Sequence, residues 1–356
     1  MVDYQNQYKN IVFKKDLFSN SNIIYKIKSG LIPDKVLKEY NFLNSRVIKI
    51  YIPKNNTATN STNFLICEGK NKYYLKKESI KKEDIKEKTH RFEQLKKINK
   101  NNSLVLPVKK KRKFFRLGNN IWSIYKFFDG GLFSGKKNEL KIVTKSISKA
   151  LLLFDNIRVK KKSFRYFTND ANNIVNNYKI NSETFKKILN NKNNKNNKNN
   201  KVLINYFFYQ WTRLKKIKKK FNNLKKVFCH FDLHPHNIMI KNKKVKIIDL
   251  ASIKYMPLEI AIAFSGLKLC RQTIYKKKTK KFSSIGLDFI KSLDTNFKKN
   301  LNKKIYVSDL ANIEIMRRIC IILKYNLNGD KSLNYILPTL MSNLIESDII
   351  FNGSKF

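Results

Sequence analysis

The pattern of hydrophobic and polar positions divides the chain near Phe128. Before that point, short runs rich in branched and aromatic residues predict β-strands. After it, apolar residues recur at three- and four-residue spacing, which predicts amphipathic helices. The predicted strands are 47–52, 63–67, 73–77, 104–107 and 121–127, with helices at 33–41 and 81–97 among them. The predicted helices of the second part are 139–157, 164–178, 182–189, 202–224, 282–299, 307–325 and 332–348.

This change of pattern predicts two lobes. The first, 1–127, begins with a leader segment, 1–40, and otherwise consists of a sheet and a helix; the second, 128–356, is mostly helical. Glycines 130 and 131 interrupt the last strand pattern and mark the boundary. Residues 190–201 repeat asparagine and lysine and offer nothing to bury, so they predict a disordered insertion between helices.

One stretch of the second part, 227–252, carries the densest set of chemical groups. It reads as a short strand, a polar loop containing Pro235, and a hairpin of two apolar strands that turns near Asn242. Asn237 enters the hairpin and Asp249 leaves it, so the hairpin should place an amide and a carboxylate side by side. Asp232 precedes Asn237 by five residues.

These three residues suit the transfer of a phosphoryl group from ATP, in which the protein mainly positions groups and neutralises charge. A carboxylate must orient the attacking hydroxyl and accept its proton, a role that fits Asp232. Magnesium prefers hard oxygen ligands, and Asn237 and Asp249 supply an amide oxygen and a carboxylate on adjacent backbone.

The same stretch resembles the aminoglycoside phosphotransferase and choline kinase superfamily, whose members are relatives of protein kinases. The resemblance rests on the sequence His-Phe-Asp-Leu-His-Pro-His-Asn at 230–237 and on Ile-Asp-Leu at 248–250. Phe231 and His236 replace two glycines of the usual loop, and Ala251 stands where a glycine often follows the acid. None of these changes removes a ligand or the base.

The resemblance implies an α+β fold of protein-kinase type, with an antiparallel sheet and a helix in the first lobe and a larger helical second lobe. It implies ATP and Mg²⁺ as cofactors, bound between the lobes. Lys76, in the third strand, would contact the phosphates, and Glu93 would hold Lys76 in place. The loop before the second strand, which ends at Asn63, would cover the phosphates.

Two further residues take roles from the resemblance. Phe127 lies at the expected connector between the lobes, where adenine would bond to the backbone. His230 belongs to the catalytic loop, where we expect it to brace the loop by hydrogen bonds rather than to react. Glu259 corresponds approximately to an acid that braces this loop in relatives, one position closer along the chain.

Other interpretations of the loop remain. His230, His234 and His236, together with Asp232, could bind zinc, but Pro235 interrupts the strand that would align them, and the remaining histidine, at 90, is distant in sequence. Asp232, Asn237 and Asp249 could instead only cap turns and end a strand.

The formal net charge of +51 would ordinarily suggest nucleic acid or an anionic membrane as a partner. However, only ten of the 76 basic residues are arginine, and the abundant lysine, asparagine and isoleucine are what AT-rich codons encode. No nucleic-acid-binding motif accompanies the basic runs. We therefore expect a small-molecule hydroxyl acceptor, and keep a nucleic-acid-binding protein as a third possibility.

A second possibility is a nucleotide-binding pseudokinase that acts as a scaffold, because the predicted phosphate loop lacks glycine. A cationic acceptor would need acids or an aromatic cage near Asp232. With only 25 acidic residues in the chain, an uncharged or anionic acceptor is favoured.

Four scattered cysteines form no CxxC pair, which favours free thiols in a reducing cytosol. The N-terminus has no apolar core typical of a signal peptide, and the longest apolar stretch, 258–269, is too short to span a bilayer. These features predict a cytoplasmic protein with no membrane span.

Overall fold

A computed structural model shows the arrangement of the chain. It describes residues 25–27, 32–42, 48–53, 61–68, 70–79, 85–99, 103–108, 112–154, 157, 185–186, 197–217, 220–221, 223–250 and 253–356. The predicted phosphate loop at 54–60, most of the two helices predicted at 164–178 and 182–189, and most of the leader lie outside these residues.

The first part of the chain folds into an antiparallel sheet. Its strands are β1 (Tyr25–Ile27), β2 (Ile48–Pro53), β3 (Ser61–Glu68), β4 (Asn71–Ser79), β5 (Phe114–Leu117) and β6 (Asn120–Lys126). They lie in the order β1-β2-β3-β4-β6-β5. Helices α1 (Asp34–Glu39) and α2 (Ile85–Ile98) accompany this sheet.

A separate small core fastens α1 to the sheet. Val36, Tyr40 and Phe42 are fully buried against Trp122 and its neighbours, and the Tyr40 hydroxyl donates to the Trp122 carbonyl at 2.8 Å. Part of the predicted leader is therefore an integral element of the first lobe.

The second part begins after β6 and is dominated by helices. These are α3 (Lys137–Phe154), α4 (Asn197–Lys216), α5 (Leu258–Lys277), α6 (Phe282–Ser292), α7 (Thr295–Lys299), α8 (Val307–Leu327) and α9 (Leu337–Phe351). Helix α5 is buried along nearly its whole length, from Leu258 to Ile274, as expected of a helix surrounded by others. It is the centre of the main hydrophobic core.

Five short strands lie in the described residues of the helical second part. They are β7 (Gly131–Leu132), β8 (Lys226–His230), β9 (Ile238–Lys241), β10 (Lys244–Ile247) and β11 (Ile253–Pro257). β8 and β9 flank the loop that contains Asp232 and Pro235. β9 and β10 form the predicted hairpin, and its turn residues Asn242 and Lys243 have φ values of 48° and 62°. Two successive positive φ angles are characteristic of a type I′ turn, whose twist matches that of the strands.

The α+β prediction is confirmed, but four local expectations are wrong. Residues 104–107 make only isolated bridges, Leu104 with Ile247 and Pro107 with Tyr125, instead of a strand. The helix predicted at 282–299 is two helices, because Asp294 leaves helical conformation and caps α7 by accepting from the Asn296 N–H. The segment predicted as disordered contributes 197–201 to α4, and α4 ends at Lys216 instead of reaching Leu224.

Within the described residues, no helix is both long and apolar enough to cross a membrane. All four cysteines are free thiols, three of them buried.

Candidate active site

The loop after β8 is held in shape by His230, whose ring is fully buried. Its Nδ1 accepts a hydrogen bond from the Asp232 N–H at 3.2 Å, and its Nε2 lies 3.4 Å from the Ile248 carbonyl oxygen. The His230 ring therefore links Asp232, the predicted base, to Ile248, the residue before Asp249. Burial lowers the pKa of His230, so the ring is neutral at neutral pH, with Nε2 as the donor.

Asp232 follows this brace and carries the most strongly charged contacts of the loop. Its Oδ1 lies 3.0 Å from Lys268 Nζ and 3.1 Å from Arg318 Nη2, while His234 Nε2 is 3.8 Å from Oδ2. Burial alone would raise the pKa of Asp232, but Lys268 and Arg318 outweigh it and hold the pKa well below its ordinary value. The carboxylate is therefore ionised at neutral pH.

Asn237 is placed by the short 3₁₀ turn Pro235–Asn237, which His234 caps by accepting from the His236 N–H. The Asn237 side-chain Nδ2 donates to the Asp232 carbonyl at 2.9 Å. Because the amide nitrogen is used in this bond, the Asn237 side-chain oxygen remains as the atom that can bind a cation.

Asp249 follows the hairpin in an unusual backbone conformation, with a φ of 58°. Non-glycine residues rarely adopt this left-handed region, and such strain is concentrated at functional sites. The Ile248 N–H donates to the Asn237 carbonyl at 3.0 Å, so the backbones on either side of the hairpin meet at its open end. The Asp249 side chain is about two-fifths exposed, at 39%.

Lys76 joins the first lobe to this loop. It lies in β4, opposite Asn63 of β3 and Ser123 of β6 in the register. Its Nζ donates to Asp249 Oδ1 at 2.6 Å, although the two residues are 173 positions apart in sequence. Burial opposes the charged form, but Asp249 and Glu78 raise the pKa of Lys76, so the ammonium keeps its charge.

The expectation that Glu93 holds Lys76 is wrong. The Glu93 carboxylate pairs with Lys113 and is half exposed. Glu78, two residues after Lys76 on the same strand, is 3.1 Å from Lys76 Nζ through Oε1 and 2.6 Å from Lys88 Nζ through Oε2. The strand itself supplies the acid, and helix α2 contributes a lysine instead of a glutamate.

The remaining predicted residues lie close to these elements. Asn63 is in β3 beside Lys76, in the register given above. Phe127 follows the last residue of β6; its N–H donates to the Lys72 carbonyl at 3.0 Å, and its ring packs on Tyr74 at 5.1 Å. Glu259 is buried at the start of α5, where Oε1 accepts from the Asn302 N–H at 3.1 Å.

The donor set fits a hard divalent cation. The Lys76 ion pair uses Oδ1 of Asp249, so the second carboxylate oxygen and the Asn237 amide oxygen can both act as ligands. Among the described residues, no group of three or more histidine, cysteine, aspartate and glutamate side chains is arranged to hold a metal ion.

Sequence reasoning missed Lys268 and Arg318, both of which contact Asp232. They come from α5 and α8, at 36 and 86 residues from Asp232. In a chain with 76 basic residues, no single lysine or arginine stands out, and only the folded arrangement of the two helices identifies them.

Comparison with known proteins supports the fold rather than a close relationship. No protein-family model matches the sequence, and no curated protein matches it. Among solved structures, a spectinomycin phosphotransferase in complex with ADP and spectinomycin is 14% identical, with a TM-score of 0.55 over 90% of this chain and 97% of that one. An amicoumacin kinase in complex with AMP-PNP and Ca²⁺ is 11% identical, with a TM-score of 0.59 over 88% and 92%.

An ethanolamine kinase from Plasmodium vivax is similar as well, at 15% identity and a TM-score of 0.53 over 89% of this chain and 83% of that one. These likenesses cover nearly all of the chain. It therefore shares the two-lobed, kinase-like α+β fold of these phosphotransferases and kinases, which is the fold implied by the resemblance of the loop motif.

Proposed function

We propose that this protein is an ATP-dependent phosphotransferase that moves the γ-phosphoryl group of ATP to a hydroxyl group of a small molecule. The observation that carries the proposal is the ion pair between Lys76 of the sheet and Asp249 of the catalytic loop. In this proposal Lys76 binds phosphate and Asp249 binds the metal, and their ion pair brings the two side chains together. The bonds of His230 and Asn237 hold Asp232 in the same loop. The structurally similar phosphotransferases and kinases support the same reaction type.

Each residue has a role in this proposal. Asp232 orients the acceptor hydroxyl and accepts its proton as the oxygen attacks the γ-phosphorus, and the bond between that phosphorus and the bridging oxygen of ADP breaks. Lys76 binds phosphate oxygens, and Glu78 keeps its ammonium in place. Asn237 and Asp249 would hold Mg²⁺, which neutralises the phosphate charge when bound.

The proposal is tested by Mg²⁺-dependent ATP consumption with a panel of hydroxyl compounds, comparing the wild type with Asp232→Asn. We expect Asp232→Asn to lower turnover by about 10²–10⁴-fold, the usual contribution of a positioned general base, while ATP affinity stays within about twofold. Asp129→Asn, at an exposed acid paired with Lys241, is the matched control and should behave as the wild type. Equal turnover by Asp232→Asn would exclude its role.

A nucleotide-binding scaffold without transfer activity is the second candidate. It is favoured by the two cations on Asp232 Oδ1, which already engage one oxygen of the proposed base. Binding of Mg-ATP with no turnover against any acceptor would establish it. We propose a reducing, cytosolic compartment for either function, in keeping with the free thiols.

A further inference from the structure

Two cations from the helical lobe contact the Asp232 carboxylate, and a third is the neighbour of one of them in sequence. Lys268 of α5 and Arg318 of α8 both contact Asp232, and Arg317 precedes Arg318 on the same helix. We call Lys268, Arg317 and Arg318 the cationic patch. Arg317 and Arg318 keep 20% and 22% of their side chains exposed.

A single buried glutamate organises the two arginines. Glu314 is 3% exposed and accepts from Arg317 Nε and Nη2 at 2.7 Å each and from Arg318 Nε at 2.8 Å. Burial alone would raise the pKa of Glu314, but Arg317 and Arg318 hold it below its ordinary value. The patch thus has three cations against two carboxylates, Glu314 and Asp232, and keeps a positive excess.

The aromatic rings beside Asp232 already face cations of the protein. The Arg318 guanidinium lies 4.4 Å from the Phe264 ring centre and 5.4 Å from that of Phe231. Lys268 Nζ is 4.6 Å from Phe264, and the Arg317 guanidinium is 6.0 Å from Phe231. An ammonium ligand would have to displace these groups to reach the ring faces, which are what an aromatic cage uses to bind a cation.

We propose that the acceptor is a hydroxyl compound that also carries an anionic group, a carboxylate or a phosphate, and that this group binds to Arg317 and Arg318. Guanidinium donors on a rigid helix suit the oxygens of such a group, and charge-assisted hydrogen bonds of this kind are the strong ones. Amino sugars and amino alcohols would meet repulsion in the same place. This inference rests on the proposed phosphotransferase function and specifies its substrate class.

The test uses one carbon skeleton with different charges: gluconate, glucose 6-phosphate, glucose and glucosamine, each with Mg-ATP at constant ionic strength. We expect kcat/KM for gluconate or glucose 6-phosphate to exceed that for glucose by about tenfold or more, and glucosamine to be the poorest acceptor. The two anions separate carboxylate from phosphate recognition. Fastest turnover with glucosamine would overturn the inference and leave the phosphotransferase proposal standing.

Arg317→Gln tests the residue itself, because Arg317 does not share the contact of Arg318 with Asp232. It should raise KM for the preferred anion by about tenfold and leave kcat/KM for glucose within about twofold, and Arg317→Lys should restore part of the loss. Lys324→Gln, at an exposed lysine of the same helix, is the control for overall charge and should change neither value. Equal losses for all four compounds would contradict anion recognition by Arg317.

If none of the four compounds is phosphorylated, their binding to the protein tests the inference instead. The Mg-ADP-loaded wild type should then be stabilised against heat by gluconate or glucose 6-phosphate more than by glucose, and Arg317→Gln should lose that difference. Equal stabilisation by all four compounds would overturn the inference. Failure of the wild type to bind Mg-ADP at all would instead refute the proposed function.

Discussion

At the scale of single residues, the titratable groups around Asp232 are held in fixed charge states. Burial lowers the pKa of His234 to about 3, and burial also lowers that of His230, while Lys268 and Arg318 hold that of Asp232 well below its ordinary value. His234 and Asp232 should therefore not titrate between about pH 5 and pH 8, where an unperturbed histidine would.

We therefore predict that kcat/KM, corrected for the ionisation of ATP, shows no limb from these residues in that window. The measurement is the pH profile of the wild type beside that of His234→Asn. An acidic limb with a midpoint near pH 6.5, present in the wild type and absent in His234→Asn, would contradict the assignment of a neutral His234.

The contacts of Lys76 lead to a second prediction at this scale. Glu78→Gln should lower kcat/KM by about tenfold or more, because the Lys76 ammonium loses a charged partner while Lys88 keeps an acceptor. Glu93→Gln, the variant expected to matter if the helix glutamate held Lys76, should stay within about twofold of the wild type. Melting curves of both variants control for folding. A larger loss in Glu93→Gln than in Glu78→Gln would reverse this assignment.

The residues that could be predicted from the sequence are those close together along the chain. His230, Asp232, Asn237 and Asp249 lie within one strand, loop and hairpin, so their spacing alone predicts that they meet. Contacts between residues far apart along the chain could not be predicted in this way. For example, the sequence suggested Glu93 as the partner of Lys76, whereas the structure has Glu78. Lysine and arginine contacts to Asp232 depend on how two helices pack, which no local spacing encodes.

At the scale of elements, the hairpin between Asn237 and Asp249 depends on its type I′ turn. Lys243 adopts a left-handed conformation that is unfavourable for a side chain with a Cβ atom. We predict that Lys243→Gly raises the free energy of unfolding by about 0.5–1 kcal/mol, because glycine adopts positive φ without steric cost. Lys244→Gly, in β10, should lower it. Destabilisation by Lys243→Gly, measured by denaturant titration, would contradict the turn assignment.

The boundaries of helices and strands were predicted well where the pattern of apolar residues was strong. The strands at 73–77 and 121–127 and the helices at 139–157 and 307–325 were predicted to within a few residues of β4, β6, α3 and α8. The break before α7 was missed because the apolar spacing continues across it, and Asp294 could have been recognised as a helix cap. The segment 104–107 is apolar like a strand, but it pairs only through isolated bridges.

At the scale of the whole molecule, a buried polar cluster joins three helices of the second lobe. Arg213 of α4 lies 2.6 Å from Asp309 of α8 and 3.3 Å from Asp348 of α9, and Asp348 also accepts from the Tyr206 hydroxyl. Burial raises the pKa of Asp309 to about 6, with Arg213 opposing the rise and Asp348 adding to it.

A raised acid pKa means that folded Asp309 binds a proton at pH values where the unfolded chain has released it. Its contribution to stability therefore falls as pH rises from about 4 to about 6. We predict that the wild type loses about 2–3 kcal/mol over this window relative to Asp309→Asn, which does not titrate. Denaturant unfolding at several pH values measures the difference, and a pH-independent difference would contradict the prediction.

The net charge of the whole chain leaves nucleic acid as a separate hypothesis with its own signature. Binding through the lysine-rich surface should weaken steeply with salt, because it depends on the release of counterions. Tight binding of RNA or DNA that weakens steeply as salt rises, with no Mg-ATP turnover, would favour that hypothesis over the phosphotransferase.

The most direct measurement of the central claim, that Lys76, Asn237 and Asp249 form one site for a metal-bound nucleotide, is the affinity for AMP-PNP with Mg²⁺ and with EDTA. The wild type should bind at least about tenfold more tightly with Mg²⁺. Asp249→Asn should lose that difference, whereas Asp129→Asn should keep it. An Asp249→Asn protein with the same Mg²⁺ dependence as the wild type would contradict the assignment of the site.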